Sequence, residues 1–327
     1  MTTAAAPEKR KGIFLFDFDG TITQEDTINT LAELAAAKSS NEDVWGEIVE
    51  GYVADHEAHV SSYKPVAEDR VTLAQELEYL ESLGGVEGRS IARVNEKGVF
   101  RNLTEEEFRE FGARRDNGVV VRPGFGKLIQ RLGLEQERKQ HGKGKGGRKR
   151  WDWGVVSINW SRDFIEGVIG RSLLDQSRDN TPPARIMANG VLFPSGEVVG
   201  PQELENHNGE RRRALMTAGD KRKAMKAFWA DEERDDRIES RPPVMVYFGD
   251  STTDLSCLVE ADVGVVMADE DGGKLLGTLR RIGYTVPHVG KFREKMVNAN
   301  GTHLLWARDY EEVIKSGLVE RLEKVLG

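Results

Sequence analysis

The stretch FLFDFDGTIT, Phe14 to Thr23, opens on continuous apolar residues and ends with two carboxylates and a glycine. Ile13 to Phe16 reads as a buried parallel strand that stops at a functional loop. Trp153 to Ile158, Val244 to Phe248 and Val263 to Met267 are similar runs. Segments of helical period, Asp163 to Ile169 and Leu255 to Val259, follow the first two of these. Strands alternating with helices predict an α/β core built on a parallel sheet, with ligands gathering beyond the carboxyl ends of the strands.

Between about Asp26 and Asn117 strand-like runs are scarce, and helical patterns such as Thr72 to Leu83 and Thr104 to Phe111 dominate. Thr104 followed by Glu107 predicts a capping box. This stretch is expected to be a helical insertion sitting on the sheet as a cap. Residues 1–25 and 118–327 then form the core and residues 26–117 the cap. The core resumes at Val119 to Val121, and Arg122-Pro123-Gly124 starts a helix through Leu132 with the proline in its first turn. Residues 135–150 end in HGKGKGGRKR, glycine and positive charge without apolar period, and predict a mobile basic loop. A solvated surface insert is the commoner use of such a run than a nucleic-acid patch. Gln176 to Met216 is irregular, with Pro182-Pro183, a candidate strand pair at Arg185 to Phe193 and Glu197 to Val199, and the basic run Arg211 to Arg213.

The 327 residues carry 47 basic and 55 acidic side chains, a formal net charge of -8. That balance argues against general affinity for nucleic acid or anionic membranes, so an anionic substrate must be drawn by local charge. The single cysteine, Cys257, excludes an intrachain disulfide and suits a reducing compartment, the cytoplasm. No apolar run is long enough to cross a bilayer. MTTAAAPEKRKG lacks the apolar centre of a secretory signal and reads as a short lead-in to the first strand.

Asp17 and Asp19, separated by one residue at a strand end, lie close in space yet occupy different environments as the strand gives way to Gly20. One can attack phosphorus while the other protonates the leaving oxygen and then activates water. An Asp-Gly loop whose carboxylates merely cap backbone amides is the plainer alternative. Gly249-Asp250-Ser251-Thr252-Thr253-Asp254 also follows an apolar strand and opens a helix, which brings Asp250 and Asp254 to the same sheet edge. Converging carboxylates repel one another. A hard divalent cation resolves the conflict, and magnesium suits a site of oxygen ligands. A phosphoryl group also needs donors and positive charge. Ser157, at a strand end, and Lys221, in the first turn of a helical stretch reaching Trp229, are the candidates; a cation in that turn is unfavourable without a partner.

In order along the chain, Asp17-x-Asp19-Gly20-Thr21, Ser157, Lys221 and Gly249-Asp250-x-x-x-Asp254 resemble the four motifs of the haloacid dehalogenase-like (HAD) superfamily of phosphatases. The resemblance covers nearly the whole chain and implies a Rossmann-like parallel sheet flanked by helices, with an inserted helical C1-type cap. It implies Asp17 as nucleophile and Asp19 as acid/base. Asp17, Asp19 through its backbone carbonyl, Asp250 and Asp254 would form the magnesium site, with Ser157 and Lys221 on the phosphate. DFDGTIT followed by Gln24-Glu25-Asp26-Thr27-Ile28 is similar to the phosphoserine phosphatase branch, acting on small phosphorylated metabolites. In that branch Asp26 falls where a glutamate binds the substrate, and Asn159 where a glycine follows the second-motif serine; both are candidate substrate contacts. Asp26 is shorter than the glutamate, and Thr253 replaces a usual asparagine, so the resemblance stops short of a substrate. The long segment between Ser157 and Lys221, with Ala188-Asn189 in a strand-like run, is similar to a branch acting on 2-hydroxy-3-keto-5-methylthiopentenyl-1-phosphate.

A phosphomutase or phosphotransferase of the same chemistry and a non-catalytic scaffold of the same fold are the competing functions. His56 and His59, three apart in a helical stretch, lack further ligands at metal-site spacing. Cys257 reads as a small buried residue. Arg162, just after the Ser157 strand, is either a substrate contact or a surface arginine at a helix start.

Overall fold

The computed structural model describes residues 11–38, 44–140, 151–174, 185–204, 213–230, 243–293 and 302–326. Strand β1, Gly12–Phe16, is buried along its whole length. Around it a parallel sheet forms from β2 (Trp151–Val156), β3 (Arg185–Met187), β6 (Val244–Gly249), β7 (Val263–Met267) and β8 (His303–Ala307), in the order β3-β2-β1-β6-β7-β8. Strands β4 (Gly190–Leu192) and β5 (Glu197–Val199) form a separate antiparallel pair. Alternation along β1 sends Phe14 and Phe16 to one face and Ile13 and Leu15 to the other, each into its own apolar cluster. Phe16 stacks on Phe248 at 4.8 Å between centroids and meets Phe125 edge-on at 5.5 Å.

Between β1 and β2 the described chain is helical: α1 (Ile28–Ala36), α2 (Val44–Ser62), α3 (Leu73–Ser82), α4 (Gly84–Lys97), α5 (Glu105–Ala113) and α6 (Phe125–Gln140). Thr72 and Thr104 each close a capping box, with Gln75 and Glu107, worth about 1 kcal/mol per cap. Helices α7 (Arg162–Leu174), α8 (Ala218–Ala230), α9 (Leu255–Glu260) and α10 (Lys274–Arg281) cover the sheet, with the short helices Tyr310–Lys315 and Leu318–Val325 after β8.

Two of the places that fasten the helical insert to the sheet-bearing part are a close helix seat and a buried ion-paired cluster. Helix α5 lies on α7 through glycines: a Cβ on Gly112 would stand 2.3 Å from the Phe164 carbonyl oxygen, and one on Gly167 2.1 Å from that of Arg109. At the other place Leu80 of α3 joins the cluster of Ile13 and Leu15. Beside it, Arg281 of α10 donates to the Glu76 carboxylate at 2.9 Å and to the carbonyls of Ala67 and Arg70. Arg70 donates to the same Glu76 oxygen at 2.8 Å, with its guanidinium 3.8 Å from the Tyr79 ring centre.

The structure differs from the expectations, or adds to them, at four points. Val121 makes only an isolated bridge to Thr23 rather than a strand. Helix α6 starts two residues after Pro123 and runs on to Gln140, because Leu, Glu, Gln, Arg and Lys after Gly133 are good helix formers; residues 141–150 of the basic segment lie outside the described residues. Arg185 to Phe193 is not one strand of a pair: Arg185–Met187 joins the main sheet and only Gly190–Leu192 pairs with β5. Asn189 fixes the break, donating to the Ile158 and Leu215 carbonyls and accepting from the Leu215 amide. The eighth strand, His303–Ala307, was not anticipated. Arg211 and Arg212, and residues 176–184 of the irregular region, are outside the described residues. Among the described residues no helix is long and apolar enough to cross a membrane.

Gly167→Ala forces a methyl into the α5 backbone and should destabilise the fold by about 1–3 kcal/mol, as overpacking does. Urea unfolding checks this; an unchanged midpoint would show that α5 does not need its close seat on α7.

Candidate active site

The register of the central strands builds the site. Phe16 lies opposite Val155 on one side and Phe248 on the other, so the residues that follow each strand leave the sheet at one edge. Asp17 still donates its amide to the Phe248 carbonyl at 2.9 Å. Gly20 then turns the chain with φ +70°, and a Cβ there would stand 2.2 Å from the Asp250 carboxylate. Only glycine meets both demands. Arg122 and Tyr310 brace the turn from behind, donating to the Gly20 carbonyl at 2.8 Å and the Thr21 carbonyl at 3.1 Å.

The sequence places Lys221 where a cation needs a partner, and the structure supplies two. Its ammonium, fully buried, lies 2.8 Å from Asp17 Oδ1 and 2.7 Å from Asp254 Oδ1. Burial alone would lower its pKa; the two carboxylates raise it above the ordinary lysine value. Asp254 is also held by the Tyr247 hydroxyl at 2.9 Å and by the amides of Asp250 and Ser251. Asp17, Asp250 and Asp254 each offer an oxygen to a group lying within 4.8 Å. Burial, reinforced by Asp254, raises the Asp17 carboxyl well above the usual range against the pull of Lys221. Burial and then Asp254 push Asp250 up to about 7, with the Thr21 hydroxyl donating to it at 3.1 Å.

Asp19 stands apart from that group. Its Oδ1 accepts from the amide of Thr27 at 2.9 Å and from the Thr27 hydroxyl at 2.7 Å; its Oδ2 accepts from the Asn159 amide at 2.8 Å. Burial, then Asp26, pushes it up to about 6, opposed by these donors. Ser157 is fully buried, and its hydroxyl oxygen accepts from the backbone N–H of Asn159 at 3.1 Å.

Of the residues singled out in the sequence, the structure brings together Asp17, Asp250, Asp254 and Lys221. It sets Asp19, Ser157 and Asn159 in a second hydrogen-bonded group beside them. Asp26 is in neither: it is exposed and accepts from the Ile28 amide at 2.7 Å, capping α1. Asn159 bonds Asp19 rather than standing free for a ligand. Arg162 pairs with Glu166 and Glu203, while Trp160 packs on Trp45 and Phe100. His56 stacks on Tyr52 and His59 meets Ser82. Cys257 is buried, which raises its thiol pKa. Thr27, Tyr247 and Arg122 went unread. Thr27 had a signal, a threonine ahead of an apolar helical run; the tyrosine lies inside an apolar strand and the arginine acts across the fold.

No family profile matches the chain. It is 24% identical over 273 residues to Cold tolerance protein 1 of Saccharomyces cerevisiae, covering 79% of this chain and 78% of that protein. It is 23% identical over 293 residues to the mitochondrial Bifunctional TH2 protein of Arabidopsis thaliana, covering 83% of this chain but 41% of the plant protein. Among solved structures, cytosolic 5′-nucleotidase IIIB bound to cytidine superposes with a TM-score of 0.51 at 14% identity, over 96% of this chain and 86% of the nucleotidase. The chain shares the fold of that nucleotidase.

Proposed function

We propose that the chain hydrolyses a small phosphomonoester through an aspartyl-phosphate on Asp17, with magnesium as cofactor. The observation that carries this reading is the buried Lys221 ammonium held between Asp17 and Asp254, with Asp19 kept separately. Asp17, Asp250 and Asp254 cluster with a single ammonium among them, a donor set that suits a hard divalent cation. Both Asp254 oxygens already accept hydrogen bonds, so Asp17, Asp250 and the Asp19 carbonyl would hold the ion and Asp254 would support it. Magnesium there would offset negative charge on the phosphoryl oxygens.

In this reading a carboxylate oxygen of Asp17 attacks phosphorus as the bond to the leaving oxygen breaks. Asp19 gives its proton to that oxygen, releasing an alcohol. The Asp19 carboxylate then takes a proton from water, whose oxygen attacks phosphorus, and the bond to Asp17 breaks to give phosphate. Two of the three Lys221 donors are engaged, leaving one for a phosphoryl oxygen, and the Ser157 proton is a further donor. Buried carboxyls with raised pKa suit proton transfer near neutrality. The helical insert 26–117 is the cap of this reading, shaping the pocket for a small phosphorylated metabolite. A lone buried cysteine suits the cytoplasm.

Asp17→Asn should cut phosphate release from p-nitrophenyl phosphate by at least about a thousandfold, as loss of a nucleophile does, with an unchanged circular dichroism spectrum. Full activity in the variant would end the assigned mechanism. Phosphate appearing on a second acceptor instead of free in solution would favour phosphotransfer.

Magnesium and pH should act together. Asp17 and Asp250 bind protons more tightly folded than unfolded. Without the ion the Asp250 contribution to stability is complete below about pH 4 and lost as pH rises through about 7, and the Asp17 contribution is lost in the same direction. The cation binds the ionised form, so the rise in melting temperature with saturating magnesium should be larger at about pH 8 than at about pH 5.5. Equal shifts, or a larger one in acid, would contradict the assigned ligands.

A further inference from the structure

We infer that Thr27 and Asn159 are positioning residues for Asp19, leaving its carboxyl one open lone pair from which to deliver a proton. A carboxylate has about four acceptor positions. Three are filled: both on Oδ1, by the Thr27 amide and hydroxyl at 2.9 and 2.7 Å, and one on Oδ2, by Asn159 Nδ2 at 2.8 Å. The same Nδ2 donates to the Thr27 hydroxyl oxygen at 3.1 Å, which orients that hydroxyl toward Asp19. The Ser161 amide donates to Asn159 Oδ1 at 3.0 Å, so the amide cannot present its oxygen to Asp19. Both positioning side chains are buried, Thr27 at 3% and Asn159 at 3% exposure.

Thr27 shows that this geometry is more than local turn chemistry. It stands at the N-cap of α1 but makes no side-chain cap; Asp26 accepts from the Ile28 amide instead. A threonine at that position ordinarily turns its oxygen to its own helix. Here amide and hydroxyl both leave the helix for a carboxylate eight positions earlier. The inference rests on the proposed hydrolysis, because the direction of the open lone pair matters where Asp19 gives a proton to a leaving oxygen and again where it takes one from water.

The leaving group separates this role from a structural one. p-Nitrophenolate departs without a proton, whereas an alkoxide needs one. Wild type, Thr27→Val, Thr27→Ser and Asn159→Ala are assayed with magnesium on p-nitrophenyl phosphate and on a panel of simple alkyl phosphates. In Thr27→Val and Asn159→Ala, kcat/KM, which reports expulsion of the leaving group and not the later attack of water, should fall by about a hundredfold for the alkyl phosphate, the scale of a general acid, and by about threefold or less for p-nitrophenyl phosphate. Thr27→Ser, which keeps the hydroxyl, should restore the wild-type ratio. Equal losses on both substrates, or no loss on either, overturn the inference and leave the hydrolysis standing. So does a wild type that cleaves p-nitrophenyl phosphate but no alkyl phosphate. A wild type inert toward every substrate overturns the proposed function, and the inference with it. Should Thr27→Val fail to fold, Asn159→Ala gives the same ratio.

Discussion

A lysine ammonium with no exposure to water is tenable only with partners, and Lys221 has two. Removing the ammonium would leave two buried carboxylates without their counterpart, a loss of about 3–5 kcal/mol for such a group. The arrangement therefore ties three separate pieces of chain: the end of β1, the start of α8 and the loop after β6. Asp254 is the hub, because Tyr247 and two loop amides also converge on it. The cost is burial of carboxylates and then their crowding, which together hold the Asp17 and Asp250 carboxyls above the usual range. A structure shaped by stability alone would have little reason to keep those acids together.

The parts legible in the sequence are those whose physics is local. β1, β6 and β7 announce themselves as apolar runs buried on both faces, and the capping box at Thr104 is a four-residue pattern. Asp17, Asp250 and Lys221 could be placed because each sits at the end or start of such an element. The unread parts depend on partners far along the chain. Asn189 breaks an apolar run by bonding Leu215, and nothing within the run marks the break. Asn159 looks like a residue facing a ligand because it follows Ser157 by two. Its actual partners, Asp19 and Thr27, are more than a hundred positions away. Asp26 was placed by resemblance and proves to cap its own helix, a role that its residue type equally allows.

The two carboxylates of the opening segment meet different surroundings one residue apart. Asp17 looks into a cluster of like charge with an ammonium beside it; Asp19 looks at amides and a hydroxyl. Gly20 makes the separation possible by turning the backbone where a side chain would strike Asp250. A repeat of two along the strand would put both carboxylates on one face if the strand continued. The turn ends that equivalence, and it is the turn that Arg122 and Tyr310 hold in place.

The order of pairing in the sheet also governs how such a chain is made. Gly12 pairs with Trp151 and with Val244, so a ribosome finishes β1 long before either neighbour has been translated. Closing loops of that span costs entropy before any contact rewards it, which makes non-local parallel sheets slow to assemble. The helices encoded next have local contacts to form meanwhile. No fragment ending before the loop after β6 contains Asp250 or Asp254, so the crowding of acids arises only after most of the core that confines it has been synthesised.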